Sequence, residues 1–115
     1  MKPTTGTTIL YHVTPSYNSE AIEVSGILPA FARRAHKASW YVKRSRIQWA
    51  ILHVSNIHCV AVSDISVCAV LVEWKNMKRS GKEGMYYTYV SYRVESVCPA
   101  SQFIEAELEE EGYDE

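Results

Sequence analysis

The chain has 115 residues, 47% of them hydrophobic and 22% charged, which is an ordinary length and composition for one globular domain. No apolar run reaches the ~18 to 20 residues of a membrane span, the N-terminus lacks the apolar segment of a signal peptide, and the three cysteines show no paired spacing. These features exclude membrane-spanning and disulfide-stapled classes and predict a soluble cytoplasmic protein with one core.

Charge is distributed unevenly along the chain. The formal net charge is −1, yet residues 105–115 hold 7 of the 13 acidic residues and no basic one. The body at 1–104 therefore carries 12 basic residues against 6 acidic ones. A basic body favours a polyanion such as nucleic acid or a pyrophosphate cofactor, and the acidic segment either folds back over it or stays solvated. We expect a single domain at 1–104 followed by an acidic C-terminal tail at 105–115.

The first strand and helix bring polar side chains to one place. An apolar run at 8–13 predicts a strand that carries His12 and Thr14 at its exit, as expected for a strand bordering a cleft. Asn18 can cap a short helix, which Gly26 ends.

A cationic loop at 30–38 precedes the second strand, which is predicted at 39–42. Trp40 and Tyr41 must point to opposite faces of this strand, so one of the two packs in the core.

The second helix is predicted from two features. Ser45 and Gln48 have capping-box spacing, and Asn56 is a natural end. An apolar stripe at helical spacing runs between them, formed by Ile47, Ala50, Ile51 and Val54.

The C-terminal half predicts three strands. A short strand at 57–62 is followed by a buried, valine-rich strand at 67–74, a charged loop at 76–84, and a long alternating strand at 85–94, with Pro99 closing the sheet. The order of elements predicts an α+β fold with a mainly antiparallel sheet and two short helices.

Two short motifs resemble the ADP-ribosyltransferase superfamily. The first is Leu10-Tyr11-His12-Val13-Thr14, followed by a helix that ends in Gly26-Ile27-Leu28, and the second is Trp40-Tyr41-Val42-x-Arg44-Ser45, which runs into an apolar helix. The chain is similar to the DarT-type nucleic-acid ADP-ribosyltransferases and, more distantly, to the tRNA 2′-phosphotransferases. The resemblance spans residues 9 to 104 and implies a small split sheet with NAD in the cleft between its halves.

The resemblance also implies a cofactor site. In the family the motif histidine binds the ribose next to nicotinamide, the following backbone amide holds the carboxamide, and an aromatic residue stacks on the nicotinamide ring. Carried over, these residues are His12, Val13 and Tyr41. The remaining expected cofactor-binding residues belong to the same two motifs and are Thr14, Trp40 and Arg44. Without the resemblance, His12 is better explained as a strand-end histidine with a structural role, and with the resemblance the two explanations are equally good.

The sequence departs from the family at the third motif, where a glutamate usually begins the late strand. Here Tyr92 or Arg93 stands nearest that position, and Glu95 fits only if the register shifts by two. With Glu95 in place, the resemblance implies an NAD-dependent ADP-ribosyltransferase. With Arg93 facing the cleft, the site resembles the cationic phosphotransferase type. The third interpretation is a nucleotide-binding or partner-binding module without turnover.

A DNA or RNA acceptor is the expected partner of the transferase. The basic residues expected to face it are Arg33, Arg34, Lys43 and Arg46. Most clusters of basic residues contact only solvent, so a surface without a nucleic-acid partner is the alternative. No metal site is predicted, since His53, His58 and Cys59 match no usual zinc spacing. The favoured prediction is an NAD-dependent ADP-ribosyltransferase that acts on nucleic acid.

Overall fold

The structure is a computed structural model that describes residues 5–29, 31–32 and 35–104. These residues form a six-stranded antiparallel sheet with short helices on its two faces, plus a separate two-stranded hairpin. The helices are α1 (Ser19–Ser25), α2 (Ile47–His58) and α3 (residues 100–104). The strands are β1 (Thr7–Pro15), β2 (Phe31–Ala32), β3 (Ala35–His36), β4 (Ser39–Val42), β5 (Ile65–Glu73), β6 (Lys78–Arg79), β7 (Met85–Thr88) and β8 (Ser96–Pro99). The α+β class and the antiparallel sheet predicted from the sequence are confirmed.

The sheet is nearly divided between β1 and β4. Its strand order is β6-β7-β4-β1-β5-β8. β1 pairs with β5 at nine positions, from Thr7↔Glu73 to Pro15↔Ile65, whereas within the described chain β1 pairs with β4 only at Tyr11↔Val42. The two halves of the sheet therefore meet at one position and separate beyond it.

Both faces of the sheet carry a hydrophobic core. β5 is buried from Ile65 to Cys68 without interruption, which confirms the central strand predicted from its valine-rich run. On one face a core that includes Leu10 and Tyr41 lies under Ile22 of α1. The opposite core lies under α2 and α3, and its buried members are Val42, Ile47, Ala50, Ile51, Ile65, Val67 and Ala100.

The end of α1 is fixed by Gly26, as predicted. Gly26 has φ +79, and its N–H donates to the Ile22 carbonyl at 2.7 Å. The next residue, Ile27, exchanges two backbone hydrogen bonds with Tyr92, so the loop that follows β7 lies against the end of α1. A Cβ at position 26 would come within 2.6 Å of the Tyr92 carbonyl oxygen, so only glycine permits this approach.

One predicted strand is wrong, and another is shorter than predicted. Residues 57 and 58 belong to α2, which ends with Cys59 in the left-handed region at φ 54, and a 3-10 turn follows at Val62–Asp64. The predicted strand at 85–94 ends at Thr88 instead. The Val90 N–H donates to the Thr88 hydroxyl at 3.1 Å, a local bond that turns the chain out of the sheet.

Smaller differences concern loops and caps. The predicted loop at 30–38 contains the β2–β3 hairpin. The predicted capping box is wrong, because a 3-10 turn at Arg44–Arg46 leads into α2 and no side chain caps the helix. The predicted acidic tail lies outside the described residues. None of the helices in the described ranges has the length and apolar character needed to cross a bilayer.

Candidate functional site

A cleft of about 910 Å³ opens where β1 and β4 separate. Its walls are the exit of β1, one side of α1 with the segment that follows it, the start of β4, one side of α2 and part of the loop before β7. The volume lies within the range of about 300 to 1,000 Å³ that small-molecule sites occupy. The division of the sheet therefore creates a space of ligand size.

His12 lies at the centre of this division. Its ring is half-buried, and Nδ1 donates a hydrogen bond of 2.8 Å to the Trp40 carbonyl oxygen. A carbonyl only accepts, so the proton of the neutral ring resides on Nδ1 and Nε2 is left as an acceptor. Burial lowers the pKa of His12 below its usual 6.5, although the bond to Trp40 opposes that effect. His12 thus offers the cleft a neutral acceptor.

The structure assigns Trp40 and Tyr41 to opposite sides of β4. Trp40 is 49% exposed and lines the cleft, whereas Tyr41 is fully buried in the core. The Tyr41 hydroxyl has no hydrogen-bond partner among the residues that the structure describes, and burial raises the pKa of this phenol well above its usual range. The expectation that Tyr41 stacks on a ligand is therefore corrected, since alternation along the strand leaves Trp40 as the aromatic residue at the cleft.

Of the other predicted cofactor-binding residues, two line the cleft and one does not. Val13 and Thr14 line the cleft, and the Thr14 hydroxyl accepts a hydrogen bond of 3.1 Å from the Asn18 side chain, which lines it too. Arg44 is exposed and does not line the cleft. Its guanidinium lies 5.4 Å from the centroid of the Phe103 ring, against α3.

The three predicted catalytic residues are not brought to the cleft. Tyr92 is paired with Ile27 and its hydroxyl accepts a hydrogen bond of 2.8 Å from the Asn76 side chain. Arg93 donates to the Val24 carbonyl at 3.0 Å, and Glu95 is exposed while its backbone N–H bonds to β5. This placement corrects the prediction, and its cause is the attachment of the 89–95 loop to Gly26 and Ile27. No Asp or Glu is among the described residues that line the cleft.

The predicted basic residues lie in different surroundings. Arg33 and Arg34 are outside the described residues. Lys43 is exposed and does not line the cleft. Arg46 packs on α2, where its guanidinium carbon lies 4.9 Å from the centroid of the Trp49 ring.

Three residues that line the cleft were not predicted as site residues from the sequence. The His53 ring stacks on Trp49 with centroids 4.8 Å apart, and the Lys82 Nζ lies 4.9 Å from the same indole. All three line the cleft. Trp49, His53 and Ile57 follow i, i+4, i+8 spacing beside the predicted core stripe of α2, and this second stripe was the available signal. Lys82 lies in the charged loop and carried no such signal.

The described part of the chain contains no group of three His, Cys, Asp or Glu side chains placed to hold a metal ion. Comparisons of the chain with protein-family models, with curated proteins and with solved structures give no match.

Proposed function

We propose that the cleft binds a nucleotide, with NAD as the expected ligand, and that the domain acts by binding rather than by group transfer. One observation carries the proposal: His12 presents an uncharged acceptor between aromatic walls at the point where the sheet divides. Apolar walls with a few convergent polar groups are typical of cofactor sites. The lining fits such a ligand, since Trp40 and Trp49 supply aromatic surface and Thr14 supplies a hydroxyl.

The chemistry of His12 suits a ribose. In the tautomer set by Trp40, Nε2 accepts a hydrogen bond from a ribose hydroxyl without placing a positive charge beside the glycosidic bond. The exposed face of Trp40 is available for stacking on a base or a nicotinamide ring. Val13, which lines the cleft, remains the expected backbone partner of the carboxamide.

Binding without transfer is supported by the contacts of the late loop. Transfer of ADP-ribose requires charge stabilisation at the ribose, for which a carboxylate is the expected group. Tyr92 and Arg93 instead hold the loop against α1 and the β5–β6 turn, and Glu95 is exposed beside β5. ADP-ribosyl transfer, possible from the sequence alone, is thus the less favoured form of the proposal.

The test is calorimetric titration with NAD, together with mass spectrometry for released nicotinamide. His12→Asn keeps an N–H near the position of Nδ1 but removes Nε2, so we expect it to weaken NAD binding about fivefold or more while the fold persists. Glu95→Gln is the matched control and is expected to bind as the wild type does. If the wild type released nicotinamide and Glu95→Gln did not, the result would support the transferase instead. Failure of NAD and ADP-ribose to bind would refute the nucleotide site.

A second candidate function is favoured by an aromatic shelf beside the cleft, formed by Trp40, Tyr87 and Tyr89. Trp40, Tyr87 and Lys78 lie opposite one another across β4, β7 and β6, so they share one face. The Trp40 and Tyr87 centroids are 5.1 Å apart, those of Tyr87 and Tyr89 are 6.1 Å apart, and Tyr89 is 52% exposed. Lys37 and Arg79 border the adjoining groove.

We propose single-stranded nucleic acid as the partner of this shelf. Rings that stack on bases, interleaved with cations that contact phosphates, are the usual means of binding a single strand. Fluorescence anisotropy with short labelled oligo-dT and oligo-U tests the proposal. Tyr89→Ala and Arg79→Gln should each weaken binding, whereas Tyr17→Ala and Lys43→Gln, which change an exposed tyrosine and an exposed lysine outside the shelf, should not. Equal losses in all four variants, or preference for duplex DNA, would contradict it.

The cytoplasm is the proposed location of the protein. This is supported by the free thiols of Cys59, Cys68 and Cys98, which persist in a reducing compartment.

A further inference from the structure

Two cationic side chains lie next to the indole ring of Trp49 at the rim of the cleft. The Arg46 guanidinium carbon and the Lys82 Nζ each lie 4.9 Å from the centroid of Trp49, and the His53 ring stacks on the same indole. We call these four residues the Trp49 rim. Arg46, Trp49 and His53 belong to α2 and the turn before it, whereas Lys82 belongs to the loop before β7, so the fold places two cations next to the same aromatic ring.

Among the described residues, neither cation of the rim forms an ion pair with a carboxylate. The one ion pair among the described residues joins Lys75 to Glu73 at 3.4 Å, which leaves Arg46 and Lys82 without an acidic partner in that part of the chain. The Arg46 Nε is buried and has no hydrogen-bond partner within the described ranges. A buried guanidinium N–H without an acceptor is unfavourable, and a nearby anion would offset part of that cost through the charge of the guanidinium.

Arg46 is also held in place. A Cβ on Gly84 would come within 2.9 Å of the Arg46 Cγ, so the absence of a side chain at position 84 gives this arginine room to lie along Trp49. Arg46 directly precedes α2, whose first turn has no acidic residue, so the positive end of the helix dipole adds to the same field. The charge of Arg46 therefore lies beside Trp49 at the positive end of α2.

We propose that Arg46 and Lys82 form an anion site that holds the phosphate or pyrophosphate group of the ligand in the cleft. Lys82, Trp49 and His53 line the same cleft as His12 and Trp40, so one ligand can reach both Lys82 and His12. Arg46 does not line the cleft, and its charge acts from the other contact on the Trp49 ring. The proposal deepens the proposed function and rests on it for the identity of the rest of the ligand. It fixes the ligand's direction: the ribose and ring lie at His12 and Trp40, and the phosphates lie at the Trp49 rim.

The first experiment uses inorganic pyrophosphate alone, titrated into the full chain and followed by calorimetry and tryptophan fluorescence. We expect binding that weakens as salt rises, because the contacts are ionic. Lys82 is exposed, so Lys82→Gln should fold normally and reduce pyrophosphate affinity about tenfold or more. Lys75→Gln removes one exposed lysine outside the rim and is the matched control, with affinity expected to be unchanged. Arg46→Gln should weaken binding as well, with a thermal melt to verify its fold.

The second experiment separates a nucleotide phosphate from a free one. Nicotinamide mononucleotide and nicotinamide riboside differ by one phosphate, and we expect the mononucleotide to bind about tenfold more tightly in the wild type and with a clearly smaller preference in Lys82→Gln. Pyrophosphate binding with no preference for the mononucleotide would overturn the assignment to the cleft ligand.

The outcomes distinguish this site from the nucleotide proposal. Pyrophosphate binding that Lys82→Gln removes, with no effect of His12→Asn on any ligand, would support the anion site and refute the role of His12. NAD binding that depends on His12 but not on Lys82, with no pyrophosphate binding, would overturn the anion site and leave the nucleotide cleft standing.

Discussion

A Cβ on Gly26 would lie 2.6 Å from the carbonyl oxygen of Tyr92, and Gly26 itself has φ +79. Alanine at this position meets both a strained backbone and a clash with a carbonyl that cannot move without breaking the Ile27–Tyr92 pair. We expect Gly26→Ala to lower the free energy of unfolding by about 2 kcal/mol or more, measured by urea denaturation.

Substitutions at two other glycines distinguish backbone strain from steric clash as the cause of the lower stability. Gly6 has φ +87, and a Cβ at this position would meet no atom of the described residues within 4 Å, so Gly6→Ala reports backbone strain alone and should cost about 1 kcal/mol. Gly81 has open space and no positive φ, so Gly81→Ala should lie within about 0.5 kcal/mol of the wild type. If Gly26→Ala cost no more than Gly6→Ala, close packing of Tyr92 on Gly26 would be disproved.

The lowered pKa of His12 predicts a pH dependence of stability. Near pH 6.5 the unfolded chain binds this proton more readily than the folded chain does. The free energy of unfolding should therefore be insensitive to His12 above about pH 6.5, and fall as the pH drops below it towards the lowered folded pKa. His12→Asn should remove this part of the acid dependence in urea denaturation. An unchanged pH profile in the variant would show that His12 does not titrate in this way.

The buried hydroxyl of Tyr41 predicts a stabilising substitution. Because this hydroxyl has no hydrogen-bond partner in the described part of the chain, Tyr41→Phe removes an unsatisfied polar group and should raise the free energy of unfolding by about 1 kcal/mol. Tyr92→Phe should do the opposite by a similar amount, since its hydroxyl accepts from the Asn76 side chain and the Glu73 N–H. Ligand affinity should be the same in Tyr41→Phe and the wild type. Weaker binding in that variant would return Tyr41 to the site.

The three thiols should differ in reactivity. Cys59 is exposed, whereas Cys68 is buried and burial raises the pKa of its thiol to about 11. In native protein we expect a fast reaction of Cys59 with a disulfide reagent and protection of Cys68 until the chain unfolds, followed by mass spectrometry of the labelled peptides. Cys59→Ser should abolish the fast phase. Rapid labelling of Cys68 in folded protein would contradict its placement in the core.

The sequence predicts those parts of the fold in which local pattern and tertiary role agree. The first helix and its Gly26 end, the strand at 39–42, the second helix and the buried β5 all follow from periodicity and turn residues, and the structure confirms them. The strand at 85–94 was overextended because its alternation of rings continues past Thr88. After Thr88 the aromatic side chains lie on an exposed surface or anchor a loop. The alternating pattern in the sequence does not distinguish these roles from a place in a strand.

The site is less predictable, because it depends on contacts between distant segments. Alternation shows that Trp40 and Tyr41 face opposite ways but not which face is the core. Likewise, no local pattern reveals that Arg93 bonds to the end of α1 rather than facing a cleft. Lys82 reaches Trp49 only once the loop before β7 has folded against α2.

The long β1–β5 ladder has a consequence for how the chain folds. Its partners are far apart in sequence, since Pro15 pairs with Ile65 and Thr7 with Glu73, so a large loop must close before the first of its bonds can form. Such non-local pairing slows folding and leaves β1 without its main partner during synthesis until β5 has emerged. A fragment that stops before Ile65 keeps most of the cleft lining but lacks the strand that orders it. We expect that fragment to stay unfolded and to depend on chaperones.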